Sequence, residues 1–107
     1  MKYQVFLVLD AESDLFDIFA YISSNDSEGR ARFVYDKLKE VCSSLEFFPH
    51  RSHVPPEFER IGIDSFLQVH FKPYRIIYSV SGKRVFVHCV LDGRRDLQEL
   101  LHRRLVR

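Results

Sequence analysis

At 107 residues the chain has room for one hydrophobic core and not two, so residues 1–107 are read as a single domain. Apolar residues make up 46% of it, ten Phe and five Tyr among them, which excludes a disordered chain; no apolar run nears the about eighteen residues a membrane span needs. The net charge of +1 hides a split: residues 1–48 carry five Lys and Arg against nine Asp and Glu, residues 49–107 eleven against six.

A basic second half is compatible with an acidic or nucleic-acid partner, and equally with a solvated mixed surface. Cys42 and Cys89 are too few for a disulfide framework and lack metal-ligand spacing. They read as buried thiols of a reducing compartment. The N-terminal apolar stretch meets Asp10 early and has no small-residue cleavage site, so it reads as a strand and not a leader.

Residues 3–9 are short and rich in β-formers, a first strand. Asp10 is placed to cap a helix, with Glu12 and Asp14 in a first turn that suits the helix dipole. Leu15, Ile18, Phe19 and Ile22 recur at helical spacing. Asn25 with Glu28 three residues on resembles a capping box for a second helix. There Ala31, Val34, Leu38, Val41, Leu45 and Phe48 form an apolar stripe until Pro49 stops it. The two helices predict an antiparallel hairpin.

Residues 49–65, with three Pro, two His and mixed charge, read as an irregular loop. Three β-rich runs follow at residues 66–72, 74–80 and 84–91, turned at Lys72-Pro73 and Ser81-Gly82-Lys83. Asp96 with Glu99 predicts the cap of a last helix carrying Leu97, Leu100, Leu101 and Leu105. The fold class is therefore α+β, in the order β-α-α-β-β-β-α, with a helical hairpin packed on one face of a mainly antiparallel sheet. Period-two reading puts Leu67, Val69 and Phe71, and likewise Val85, Val87 and Cys89, toward the helices. The opposite face, mixing Arg, Lys and His with Phe, Ile and Val, has no further helix assigned to cover it and is expected to bind something.

Four segments, in order along nearly the whole chain, resemble the ParE branch of the RelE/ParE toxin superfamily. They are the opening strand running into Asp10-Ala11-Glu12-Ser13-Asp14-Leu15, the helix end Leu45-Glu46-Phe47-Phe48-Pro49, the strand Pro73-Tyr74-Arg75-Ile76-Ile77-Tyr78, and Leu91-Asp92-Gly93-Arg94-Arg95-Asp96-Leu97. The last two are the more specific. The resemblance implies a RelE/ParE-like fold and a cytoplasmic toxin of a type II toxin–antitoxin pair. Its partner would be a DNA-binding antitoxin whose C-terminal segment folds over the toxin as it binds. No membrane partner is implied.

Two activities divide this superfamily. RelE-like members cut mRNA on the ribosome, whereas ParE-like members poison DNA gyrase. Arg75, Arg94 and Arg95 match positions where RelE-like enzymes hold phosphate, but cleavage also needs groups that move protons. Where RelE carries a Tyr in its last helix, this chain has an apolar residue near Leu100, and the terminal His-Tyr pair of other ribonuclease relatives is not matched before Arg107. The catalytic residues thus stay unassigned, and the resemblance favours gyrase inhibition over ribosome-dependent cleavage or a non-toxic binding module.

Target-binding or phosphate-binding candidates are Lys72, Arg75, His88, Arg94 and Arg95, with Arg103, Arg104 and Arg107 as C-terminal contacts. Each has a plainer reading. Arg75 can be a surface arginine, His88 a half-buried structural histidine, and the basic tail a complement to its helix dipole. His70 is a second histidine that can lie on the open face, and His102 reads as solvent-facing. Tyr74 and Tyr78 read as packing residues. His50 and His53 lack a paired ligand pattern, so neither metal nor cofactor is expected.

Overall fold

The computed structural model describes residues 2–106. Strand β1 (Gln4–Leu7) leads through Val8 into helix α1 (Leu9–Asn25), which a short turn joins to α2 (Glu28–Ser44). A 3-10 turn at Pro49–Arg51 and a one-turn helix α3 (Pro56–Glu59) lie within the irregular stretch. Strands β2 (Leu67–Phe71), β3 (Tyr74–Ser81) and β4 (Arg84–Asp92) and helix α4 (Gln98–Leu105) complete the chain. The sheet order is β1-β4-β3-β2, antiparallel throughout except that β1 runs parallel to β4.

The helix starts differ from expectation. α1 begins a residue before Asp10, because the Val8 N–H is still bonded to the Val87 carbonyl while the Val8 carbonyl already accepts from Ala11 and Glu12. Asp10 sits inside the first turn instead. α2 is capped by Ser27, whose hydroxyl accepts from the Arg30 N–H, and Asn25 turns its amide back onto the Tyr21 carbonyl. Asp96 accepts from the Gln98 N–H without a reciprocal bond from Glu99.

The hairpin α1–α2 covers one sheet face, burying Ala11, Leu15, Val34, Leu38 and Cys42 against Ile76, Tyr78, Val85, Val87 and Val90. Leu67, Val69 and Phe71 pack on this core as their alternation predicted. Cys89 does not. Tyr78 pairs with Val87 but Ile77 with Cys89, so His88 has no partner in β3. This β-bulge reverses the alternation of β4, and Val90 replaces Cys89 on the hairpin side.

The expectation of an uncovered opposite face is corrected for half of the sheet. Ile77, Cys89 and Leu91 are buried there beneath Phe58 of α3 and Leu97 and Leu101 at α4, with Val54, Ile63 and Phe66 packed around them. The chain fills this half with its own loop and last helix, since leaving so much apolar surface wet is unfavourable. The buried hydroxyl of Tyr78 donates to the Pro49 carbonyl and ties the start of that loop to the sheet.

The second apolar stripe stops short of its predicted end. Leu45 is buried, but Phe48 lies beyond α2 in the left-handed region (φ 52°, ψ 50°) and is 70% exposed. A Phe there is strained by its own Cβ, whereas Asn tolerates the conformation. Phe48→Asn is therefore expected to stabilise the fold by about 0.5–1 kcal/mol, the strain relieved less the weak stacking of Arg51 on the ring. Urea unfolding of the two proteins measures it; an unchanged or lower midpoint contradicts the strain argument.

Candidate functional site

At the end of the sheet where β4 finishes, three elements converge: the C-terminal half of α1, the β2–β3 turn with its cis Lys72–Pro73 bond, and the β4–α4 loop. A cavity of about 600 Å³ lies here between α1 and the loop. Asp14, Asp17 and Asp92 line it together with Arg94, Arg95 and Arg104, with Tyr21, Tyr74 and Leu91 among its walls. Two smaller depressions continue it around the Lys72–Pro73 turn, and Arg94 borders all three.

Lys72, Arg94 and Arg95 are thus brought to one end of the molecule, all exposed. Arg94 is held by Asp92 through bonds of 3.0 and 2.7 Å, and the Asp92 carboxylate also accepts from the Arg94 N–H. The guanidinium keeps the Asp92 carboxyl below its ordinary range. Arg95 makes no ion pair among the described residues. Tyr74 has its hydroxyl pKa raised by burial and then by Asp92, so it stays a hydrogen-bond donor at neutral pH.

Arg75 occupies a different setting. It is buried on the sheet face away from the hairpin, with both terminal nitrogens 2.7 Å from the Glu57 carboxylate and Nε 2.9 Å from the Gln68 side chain. This fork-to-fork pair lowers the Glu57 pKa chiefly through the Arg75 hydrogen bonds. It fastens α3 to β3 and leaves no donor pair facing a ligand. Gly93 fits against it: a Cβ there would stand 2.8 Å from the Arg75 Cγ and 2.9 Å from the Pro73 carbonyl oxygen.

Arg104 is also committed. It bonds both oxygens of Asp14 (3.0 and 3.1 Å) and the His88 carbonyl (2.8 Å), joining α4 to α1 and β4. Asp14 in addition accepts from the Val90 N–H. Burial raises the Asp14 pKa and outweighs the lowering by Arg104. Arg103 is exposed, 3.9 Å from Glu99 one turn back. Arg107 lies outside the described residues.

His88 stands apart from the arginine cluster. It points to the non-hairpin face, as plain alternation from Val85 and Val87 places it, where Nε2 is 2.8 Å from the Ser79 hydroxyl and Phe66 packs edge-on. Burial, then Arg104, lowers its pKa, so the ring is neutral at pH 7. His70 is exposed and lines the depression beside Lys72, and His102 is exposed on α4. No group of three or more metal-ligating side chains occurs among the described residues.

Reading from the sequence missed the acidic wall of the cavity. Asp10, Asp14, Asp17 and Tyr21 lie at i, i+4, i+7 and i+11 of α1, a polar stripe at helical period that marks one face. Tyr74, whose spacing predicts a packing role, also lines two of the depressions.

The Glu57–Arg75 pair makes a pH-dependent contribution. Its folded-state carboxyl pKa is depressed, so the stabilisation is complete above the ordinary Glu value near 4.3 and is lost as pH falls through the folded value. Glu57→Gln is expected to cost about 3 kcal/mol at pH 7. The gap from the parent protein should close as the pH falls through that range in denaturant titrations. A gap that is independent of pH would show that the charge of Glu57 is immaterial.

Comparison with known proteins bears on this geometry. A search of curated proteins finds no match. The chain shares its fold with a solved chromosomal ParDE toxin–antitoxin system from P. aeruginosa, with a TM-score of 0.70 at 13% identity over 83% of this chain and 94% of that one. The family model for the ParE toxin of the type II toxin–antitoxin system parDE matches residues 5–97, from β1 to the residue that opens α4. The chain therefore belongs to the ParE toxin family of type II toxin–antitoxin systems.

Proposed function

We propose that this toxin acts by binding DNA gyrase, through the face made by the end of β4, the Arg94–Arg95 loop and α4. The observation that carries the reading is how the cations are spent. Arg75, one of the three arginines matched to phosphate-holding positions, is bound to Glu57 and Gln68, and Arg104 to Asp14. A surface whose remaining charges include Arg95, Lys72, Arg103, Asp17 and the Asp92-held Arg94, beside Tyr21 and Tyr74, is suited to a protein partner. It is less suited to stabilising a cleaving phosphate, which calls for several convergent free cations.

Family membership implies an antitoxin partner. Exposed apolar side chains along the hairpin, Leu9, Phe16, Tyr21 and Phe33, offer a segment of it something to bury. The compartment proposed is the cytoplasm. Both thiols are free and buried, Cys42 with its pKa pushed up to about 11 and Cys89 to about 12, so neither is built to form a disulfide.

A purified supercoiling assay tests the proposal. The parent toxin is expected to block supercoiling and accumulate cleaved DNA. Arg94→Glu with Arg95→Glu should weaken inhibition by about tenfold or more, equivalent to about 1.4 kcal/mol of target binding, with folding and antitoxin binding retained. A double variant of full potency would displace the site. A parent toxin that spares gyrase and cuts messages during translation would establish the endonuclease reading instead, and inactivity in both assays a non-toxic binding module.

A further inference from the structure

The other end of the sheet carries a second surface with a different electrostatic character. Phe6 of β1 and Phe86 of β4 are register partners on the non-hairpin face, beyond the reach of the second core. Their rings stack with centroids 5.6 Å apart and planes 21° from parallel, and Phe6 is 42% exposed. One step along the same face, Gln4 pairs with Arg84, and Ser81 lies across from Arg84 on β3.

A depression of about 480 Å³ runs past Phe86, with Lys83 and Arg84 both exposed and no carboxylate in its wall, while Phe6 lines a neighbouring depression that also holds Lys2 and Glu46, 3.9 Å apart. Lys83 also lies 4.8 Å from the Tyr3 ring centroid. Among the described residues neither Lys83 nor Arg84 makes an ion pair. At the Arg94 end, by contrast, three aspartates line the cavity.

We propose that this corner is a binding platform for single-stranded DNA, with a base stacked on the open side of Phe6 and the adjoining phosphates held by Lys83 and Arg84. The two features answer to different parts of one ligand. A flat aromatic surface accepts any unpaired base, and cations that are not engaged in ion pairs attract the backbone. A duplex offers no free base faces. A second copy of the chain fits poorly, because two rings are far less than the about 800 Å² per partner that a stable association buries. Ser79, directly across from Phe86, is bonded to His88 and so does not ask for a ribose hydroxyl. The assignment is independent of the gyrase reading.

The test is fluorescence anisotropy of the full-length free toxin with a labelled oligothymidylate of about ten nucleotides, within the span of known single-strand sites, in low salt. Binding is expected, with a log–log salt slope of about −1.4, the value for two phosphate contacts on a single strand. Phe6→Leu keeps the volume and loses the aromatic face; it should weaken binding about tenfold while inorganic polyphosphate competes as before and the melting curve is unchanged. Arg84→Gln should flatten the slope by about 0.7. Three results overturn the proposal. One is no anisotropy change up to about 100 µM toxin, the weak limit of electrostatic binding. Another is affinity indifferent to Phe6→Leu and Arg84→Gln but lost on changing Arg94 and Arg95. The third is an oligouridylate bound more than tenfold tighter, which would make RNA the ligand.

Discussion

One extra residue in β4 governs the layout of this molecule. Were the strand regular, Cys89 and Leu91 would continue the hairpin-facing row of Val85 and Val87. Because His88 is left unpaired, Val90 takes that place, and Cys89 and Leu91 turn to the other face. There they form the floor on which Leu97 and Leu101 seat α4. The same reversal sends Asp92 into the cavity beside Tyr21 and Tyr74, where it holds Arg94. The berth of the last helix and the placement of the arginine loop thus have a common cause.

The bulge coincides with the end of β1, whose pairing stops at Leu7 and Val87. Past that point the outer edge of β4 needs another acceptor, and the Asp14 carboxylate supplies one to the Val90 N–H. A carboxylate taken so far from water is unfavourable alone. Arg104 offsets this by bonding both its oxygens, which also pins α4 to α1. Part of the basic excess of the second half of the chain is spent in this way, as Arg104 crosses to an acid of the first half, and Arg75 is further withdrawn from the surface by its pairing with Glu57 within the second half. A charge count by halves therefore overstates the basic surface.

The elements were legible because their apolar periods are clean, and both hairpins are marked by Pro or Gly. Helix caps were less so: Asn25, Asp26 and Ser27 all can cap, and only the backbone decides that Ser27 does. The bulge left no mark, since residues 85–91 are apolar on both sides of His88 and contain neither Gly nor Pro. Residues 49–65 read as irregular, but the apolar residues Val54, Phe58 and Ile63 follow no period, and Phe66 reads as strand, so their covering role is hidden. At the site, the position of Arg94 and Arg95 was readable from local sequence. The commitment of Arg75 was not, because its partner stands 18 residues away across a loop.

The two surfaces sit at opposite ends of one strand, and that separation has consequences for any partner. β4 runs nine residues from Arg84 to Asp92; at about 3.3 Å per step its ends are about 26 Å apart. An extended antitoxin segment would need about eight residues to reach from one end to the other, a helical one about seventeen. A shorter element seated on the Arg94 cavity would leave Phe6 and Arg84 open. Full silencing of a toxin that used both ends would then require either a long wrapping segment or a second contact. The cationic corner and the mixed cavity also call for different chemistry in whatever covers them: acidic groups over Lys83 and Arg84, apolar and hydrogen-bonding groups between Tyr21 and Arg95.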